Sequence, residues 1–132
     1  MSLRSPVGRV LGLGSAGEGV GHWWTQRVTS VALVLLGLWF VFALIALPDR
    51  GYETVTAWIH EPLNAVLLSL LIGTTIYHSL LGVQVVVEDY VSHHGAKVIT
   101  MLALQFIHYV LGALAIFSVL RIALVYNGGS AA

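Results

Sequence analysis

Three long intervals of the chain, from Arg27 to Asp49, from Glu61 to Glu88 and from Lys97 to Arg121, contain no Asp, Glu, Lys or Arg. A helix needs about 20 apolar residues to cross a hydrocarbon layer of about 30 Å. A chain in lipid must also satisfy its own backbone, which favours helices. The pattern predicts three transmembrane helices, over about 28–47, 64–87 and 98–121. The first apolar run, VTSVALVLLGLWFVFALIAL, exceeds the usual apolar region of a signal peptide, about 7 to 15 residues, so it reads as a span.

The segments between the spans carry their own signals. In GYETVTAWIHEP, Tyr52, Val55, Trp58 and Ile59 recur at helical spacing, which predicts a short interfacial helix that Pro62 ends. Residues 8–21, GRVLGLGSAGEGVG, are glycine-rich with no strict repeat. No strand precedes them and no GK[ST] follows, so they read as an irregular arm rather than a phosphate loop. Trp23 and Trp24 in HWWTQR sit just before the first span, at headgroup level. The organisation expected is an arm and interfacial lead-in over 1–27, a three-helix anchor domain over 28–126 and a short tail over 127–132.

Composition agrees with this layout. The 132 residues are 58% hydrophobic and 9% charged, with a mean hydropathy of +0.89, too apolar for a domain whose surface must be solvated. Cysteine is absent, which excludes disulfides and thiolate-bound iron–sulfur clusters within this chain. A net charge of zero argues against a nucleic-acid partner and leaves membrane lipid as the surroundings. Arg4, Arg9 and Arg27 precede the first span and Lys97 lies in the second loop, whereas the first loop sets Arg50 against Asp49, Glu53 and Glu61. This distribution predicts a cytoplasmic amino terminus and a carboxyl terminus, YNGGSAA, on the opposite side, with Arg121 as the basic exception there.

Candidate chemistry lies with the histidines. His22, His60, His93 and His94 fall outside the spans, where loops hold polar groups at little cost. His78 and His108 are deep, about ten and eleven residues from the corresponding ends of their spans, or near 15 Å at about 1.5 Å per residue. An imidazole at that depth can bond a neighbouring helix, relay protons or ligate haem iron. Gly82, one turn from His78 on the same face, leaves room either for a flat macrocycle or for close helix packing. Asp89 returns to within about 20° of the His78 face, two to three turns nearer the water, and Tyr90 presents a phenol at headgroup level. That phenol suits both a polar ligand and an aromatic belt. His108 and Gly112 repeat the H-x-x-x-G spacing at matching depth. An intrachain ligand pair, or a hydrogen bond from His108 to Gln105 or to the neighbouring helix, are both open.

The arrangement H-x-x-x-G-x-Q-x-x-x-x-D-Y-V, formed by His78, Gly82, Gln84, Asp89, Tyr90 and Val91, resembles the second helix of the succinate dehydrogenase cytochrome b membrane anchor subunits. HWWTQRVTSVAL at 22–33 and LRI at 120–122 are similar to that family's segments opening helix one and closing helix three. The resemblance implies an all-α membrane protein whose three transmembrane helices form half of a heterodimeric haem-binding bundle. It implies haem b shared with a second cytochrome b anchor subunit, with His78 as the axial iron ligand and the partner supplying the other. Arg27 and, with looser spacing, His22 would lie by the haem propionates. Tyr90 would hold a ubiquinone carbonyl, with Asp89 as the adjacent acid. The flavoprotein and the iron–sulfur subunit would be separate chains, and succinate chemistry would be theirs. The setting would be electron transport and the tricarboxylic acid cycle in respiratory complex II of a bacterial inner membrane. A fumarate reductase anchor and a non-redox helical assembly subunit are the competing readings.

Overall fold

The computed structural model describes residues 16–125, with side chains from Val20 onward. Four helices account for nearly all of this stretch: α1 (Ala16–Ala46), α2 (Tyr52–His60), α3 (Pro62–Tyr90) and α4 (His94–Val125). No strand occurs among the described residues. Helices α1, α3 and α4 are long and apolar enough to cross a membrane, over Val20–Ala46, Pro62–Tyr90 and His94–Val125. The fold is thus an all-helical, multi-pass membrane bundle.

Each long helix outruns the span expected from charge-free intervals. Helix α1 has 31 residues, α3 has 29 and α4 has 32, or about 44 to 48 Å at 1.5 Å per residue. Charge marks where hydrocarbon ends, whereas a helix ends only where its backbone bonds are released. The glycine-rich stretch is accordingly helical from Ala16, against the expectation of an irregular arm through residue 21. Residues 1–15 of the arm and the tail from 126 onward lie outside the described residues.

Helix α3 is the middle element. It packs against both α1 and α4, while α1 and α4 make no close backbone approach to each other among the described residues. Four of the five buried apolar side chains, Ala65, Leu80, Leu81 and Val87, belong to α3; Val119 of α4 is the fifth. Gly112 of α4 is buried against Ile76 of α3, where an added Cβ would sit 3.4 Å from Cγ1 and Cγ2. That bare patch lets the two backbones approach closely.

Helix α2 lies across one end of the bundle, in contact with α3 and α4. Asp49 Oδ1 accepts the Gly51 N–H at 2.7 Å before α2 begins. This bond, joined by one to Thr54, holds the Asp49 carboxyl below its ordinary pKa. Trp58 stacks on Trp39 of α1, ring centroids 5.8 Å apart. The face expected to be apolar is only partly the packed one: Val55 and Ile59 are half-buried, Tyr52 is 77% exposed and the side chain most deeply covered is Thr56. Pro62 opens α3 as its first residue, and it ends α2 by forcing Glu61 into an extended conformation, φ −60° and ψ 123°. The Asn64 amide then donates to the Trp58 carbonyl at 2.9 Å and ties the corner.

Candidate functional site

His78 points at α1. Thr29 Oγ1 lies 2.8 Å from its Nδ1, and the Gln26 amide nitrogen lies 3.3 Å from its Nε2. An amide nitrogen only donates, so Nε2 carries a lone pair and the ring proton belongs on Nδ1, an assignment made from the network of donors and acceptors. Thr29 Oγ1 then accepts from Nδ1–H and turns its own hydrogen to the carbonyl of Thr25 at 2.9 Å or of Gln26 at 3.1 Å.

Beside this contact, α1 and α3 enclose a cleft of about 700 Å³ whose walls include His22, Trp23, Gln26, Gly82, Gln84 and Glu88. Two polar atoms in its wall residues, His22 Nε2 and Gln26 Oε1, are buried without a hydrogen-bond partner. Such atoms cost about 1 to 3 kcal/mol each when left unsatisfied. Gly82 contributes a bare wall: an added Cβ would meet only the Gln26 amide nitrogen, at 3.8 Å. Gln84 is held by its own helix, donating to Glu88 Oε1 at 2.9 Å. The cleft therefore brings Gly82 and Gln26, whose amide contacts His78 Nε2, together with His22, Gln84 and Glu88, while His22 Nε2 and Gln26 Oε1 are covered beside it.

The other expected site residues sit around this cleft rather than in it. Arg27 is exposed, its guanidinium carbon 5.4 Å from the Trp23 ring centroid, so it reaches the cleft's edge through that ring. Asp89 and Tyr90 are exposed at the end of α3, Tyr90 by 84%, and neither lines the cleft. Both sit where the chain turns toward α4, a turn clasped by Lys97 Nζ donating to the Glu88 carbonyl at 2.7 Å.

His108 is engaged differently. Its Nδ1 lies 2.7 Å from the Leu104 carbonyl, which only accepts, so the proton is there. Nε2 then accepts from Ser79 Oγ of α3 at 3.2 Å. Both nitrogens are used within the chain, and of the sequence alternatives this is the bond to the neighbouring helix; Gln105 takes no part in it. Sequence reasoning did not single out Gln26, Thr29 or Ser79. Their signal was faint: polar residues one turn apart at the opening of an apolar helix, and a serine next to a histidine.

Comparison with known proteins gives a consistent result. A family model described as "Succinate dehydrogenase/Fumarate reductase transmembrane subunit" matches residues 1–120. The chain is 34% identical over 90 residues to the succinate dehydrogenase hydrophobic membrane anchor subunit of Rickettsia bellii (strain RML369-C), covering 68% of this chain and 72% of that one. It is 35% identical over 82 residues to the protein of the same name from Rickettsia conorii (strain ATCC VR-613 / Malish 7), covering 61% and 65%. It is 30% identical over 79 residues to that from Paracoccus denitrificans, covering 60% and 61%.

Proposed function

The chain belongs to the succinate dehydrogenase/fumarate reductase transmembrane subunit family, and from that premise we propose that it is a cytochrome b anchor of succinate dehydrogenase, holding haem b through His78 and part of a ubiquinone site through Tyr90. The names of the relatives favour succinate oxidation over the fumarate reductase reading that the family also covers. The carrying observation is the α1–α3 cleft next to the His78–Gln26 contact, with His22 Nε2 and Gln26 Oε1, atoms of two of its wall residues, buried and unpartnered.

The residues present fit the group. His78 Nε2 offers a lone pair at the helix interface, Gly82 leaves a flat wall, and His22 with Arg27 supplies nitrogen donors at the water-facing end for carboxylate side groups. Bound there, haem supplies a one-electron redox centre whose potential depends on its axial ligands and burial. The family resemblance assigns the second haem ligand to the partner anchor subunit; His108, whose nitrogens lie against Leu104 and Ser79, would be the alternative ligand within this chain. The two anchors together make the complete bundle, and this chain is half of it.

Tyr90 donates its hydroxyl to a quinone carbonyl at the end of α3, and Asp89 is the neighbouring carboxylate at the water boundary. The flavoprotein oxidises succinate, and the iron–sulfur subunit delivers electrons to the quinone at the cytoplasmic face of a bacterial inner membrane. This orientation puts the amino terminus in the cytoplasm and the carboxyl terminus in the periplasm.

A reduced-minus-oxidised absorption spectrum of the purified complex tests the reading. The wild-type complex should show a b-type band, His78→Ala should lose or markedly shift it, and His108→Ala should retain low-spin six-coordinate haem. An assembled His78→Ala complex with an unaltered band overturns the assignment. Loss of bis-histidine haem in both variants moves the second ligand into this chain.

A further inference from the structure

We propose that Thr29 is a positioning residue for His78: its hydroxyl accepts the Nδ1 proton and so holds the imidazole in the tautomer and rotation that leave the Nε2 lone pair for iron. The inference rests on the haem reading of His78 and adds a residue that the sequence pattern did not mark.

The geometry on α1 makes this hydroxyl a fixed acceptor. A threonine hydroxyl has one hydrogen and two lone pairs. Thr29 Oγ1 has two carbonyls of the preceding turn in reach, Thr25 at 2.9 Å and Gln26 at 3.1 Å. Those oxygens can only accept, so the hydroxyl hydrogen goes back to the helix and a lone pair is left facing His78 Nδ1 at 2.8 Å. A β-branched side chain in a helix has few χ1 options, and this back-bond to the preceding turn selects one of them.

The two contacts on the imidazole are unequal. Gln26 is long and flexible, its approach to Nε2 is 3.3 Å and its own Oε1 is buried without a partner. It is the contact that a stronger ligand displaces. Thr29 is short, half-buried and locked by its helix, and it stays. A metal-bound imidazole whose other N–H is bonded to an oxygen is a more basic ligand, which favours ferric over ferrous iron. Losing that bond should raise the haem potential.

Three variants in the intact purified complex decide between this role and simple packing between α1 and α3. Valine keeps the shape of threonine and removes the hydroxyl; serine keeps the hydroxyl and removes the methyl; alanine removes both. Equilibrium redox titration of the b-type band, with the low-temperature resonance of the ferric form, is the readout. The expected result for Thr29→Val is a more positive midpoint, with the ferrous-to-ferric ratio at fixed ambient potential up about tenfold, the lower end of outer-shell effects. Tenfold is 59 mV for one electron. Thr29→Ser should stay near wild type, and Thr29→Ala should follow Val. Haem lost from assembled Val and Ala complexes but retained in Ser supports the same role. If Val does not assemble, Ala against Ser carries the comparison. A wild-type midpoint in the hydroxyl-free variants overturns the proposal, as does a pattern in which Val is normal and Ser is altered. A wild-type complex with no b-type band would sink the haem reading first, before any Thr29 variant is made.

Discussion

His78 and His108 lie at comparable depth on adjacent helices, each followed four residues later by glycine, yet the structure gives them different hydrogen-bond partners. The ring of His108 meets one carbonyl and one hydroxyl of its own chain, whereas that of His78 meets one hydroxyl and, at 3.3 Å, the amide nitrogen of a glutamine whose Oε1 is buried without a partner. The presence of both histidines was legible in the sequence, because an imidazole stands out in an apolar run. Their separation was not, since the partners of His78 lie 49 and 52 residues away and only the packing of α1 on α3 brings them close. Tyr90 poses the same kind of choice. As a belt aromatic it needs only its ring, and Tyr90→Phe would then be silent. As a quinone ligand it needs the hydroxyl, whose bond is worth about 0.5 to 1.5 kcal/mol net, and binding should weaken severalfold. In membranes carrying Tyr90→Phe, quinone reductase activity should fall, while succinate oxidation with an artificial acceptor and the haem spectrum stay near normal. Unchanged turnover together with unchanged apparent quinone affinity would return Tyr90 to the belt.

At the level of elements, the number of spans was readable because hydrocarbon excludes charge along a whole helix. Their ends were not readable from the same rule, as Ala16 and Val125 show by lying well outside the charge-free intervals. The packed face of α2 was missed for another reason. Periodicity groups Tyr52 with Val55, Trp58 and Ile59, but Thr56 satisfies its hydroxyl on the Tyr52 carbonyl at 2.7 Å and can be buried like an apolar residue. Two glycines separate packing from chemistry. At Gly112 an alanine Cβ would make ordinary contacts 3.4 Å from Ile76, so Gly112→Ala should be tolerated. Gly112→Leu must wedge α3 from α4 and should destabilise the bundle by about 1 to 3 kcal/mol, read as a lowered unfolding midpoint in detergent. Gly82→Leu should do the reverse, leaving stability near wild type because nothing but the Gln26 amide is close, while filling the cleft beside His78 and removing the b-type band. Equal losses of stability in both leucine variants would contradict this division.

For the whole molecule, the decisive feature is how little the chain buries by itself. Five apolar side chains are buried among the described residues, while large ones such as Phe42, Leu70, Phe106 and Phe117 are exposed along the spans. So thin a core suits a membrane anchor whose spans face lipid and the other subunits of a complex. Orientation then determines which partners can reach which end. Arg27 and Lys97 lie at the end carrying the cleft, with Arg4 and Arg9 preceding them, whereas Arg50 and Arg121 lie at the α2 end. Basic residues near short loops favour the cytoplasm, and acids count for little, so Glu88 and Asp89 do not offset them. The cleft end should therefore face the cytoplasm, and residue 132 the periplasm. A reporter that works only in the periplasm, fused after Ala132, should be active, and one that works only in the cytoplasm should be silent there. The opposite pattern would do more than invert the topology: it would carry His22, Asp89 and Tyr90 to the outer face, beyond the reach of subunits that oxidise succinate in the cytoplasm, and the quinone site proposed at Tyr90 would fall with it.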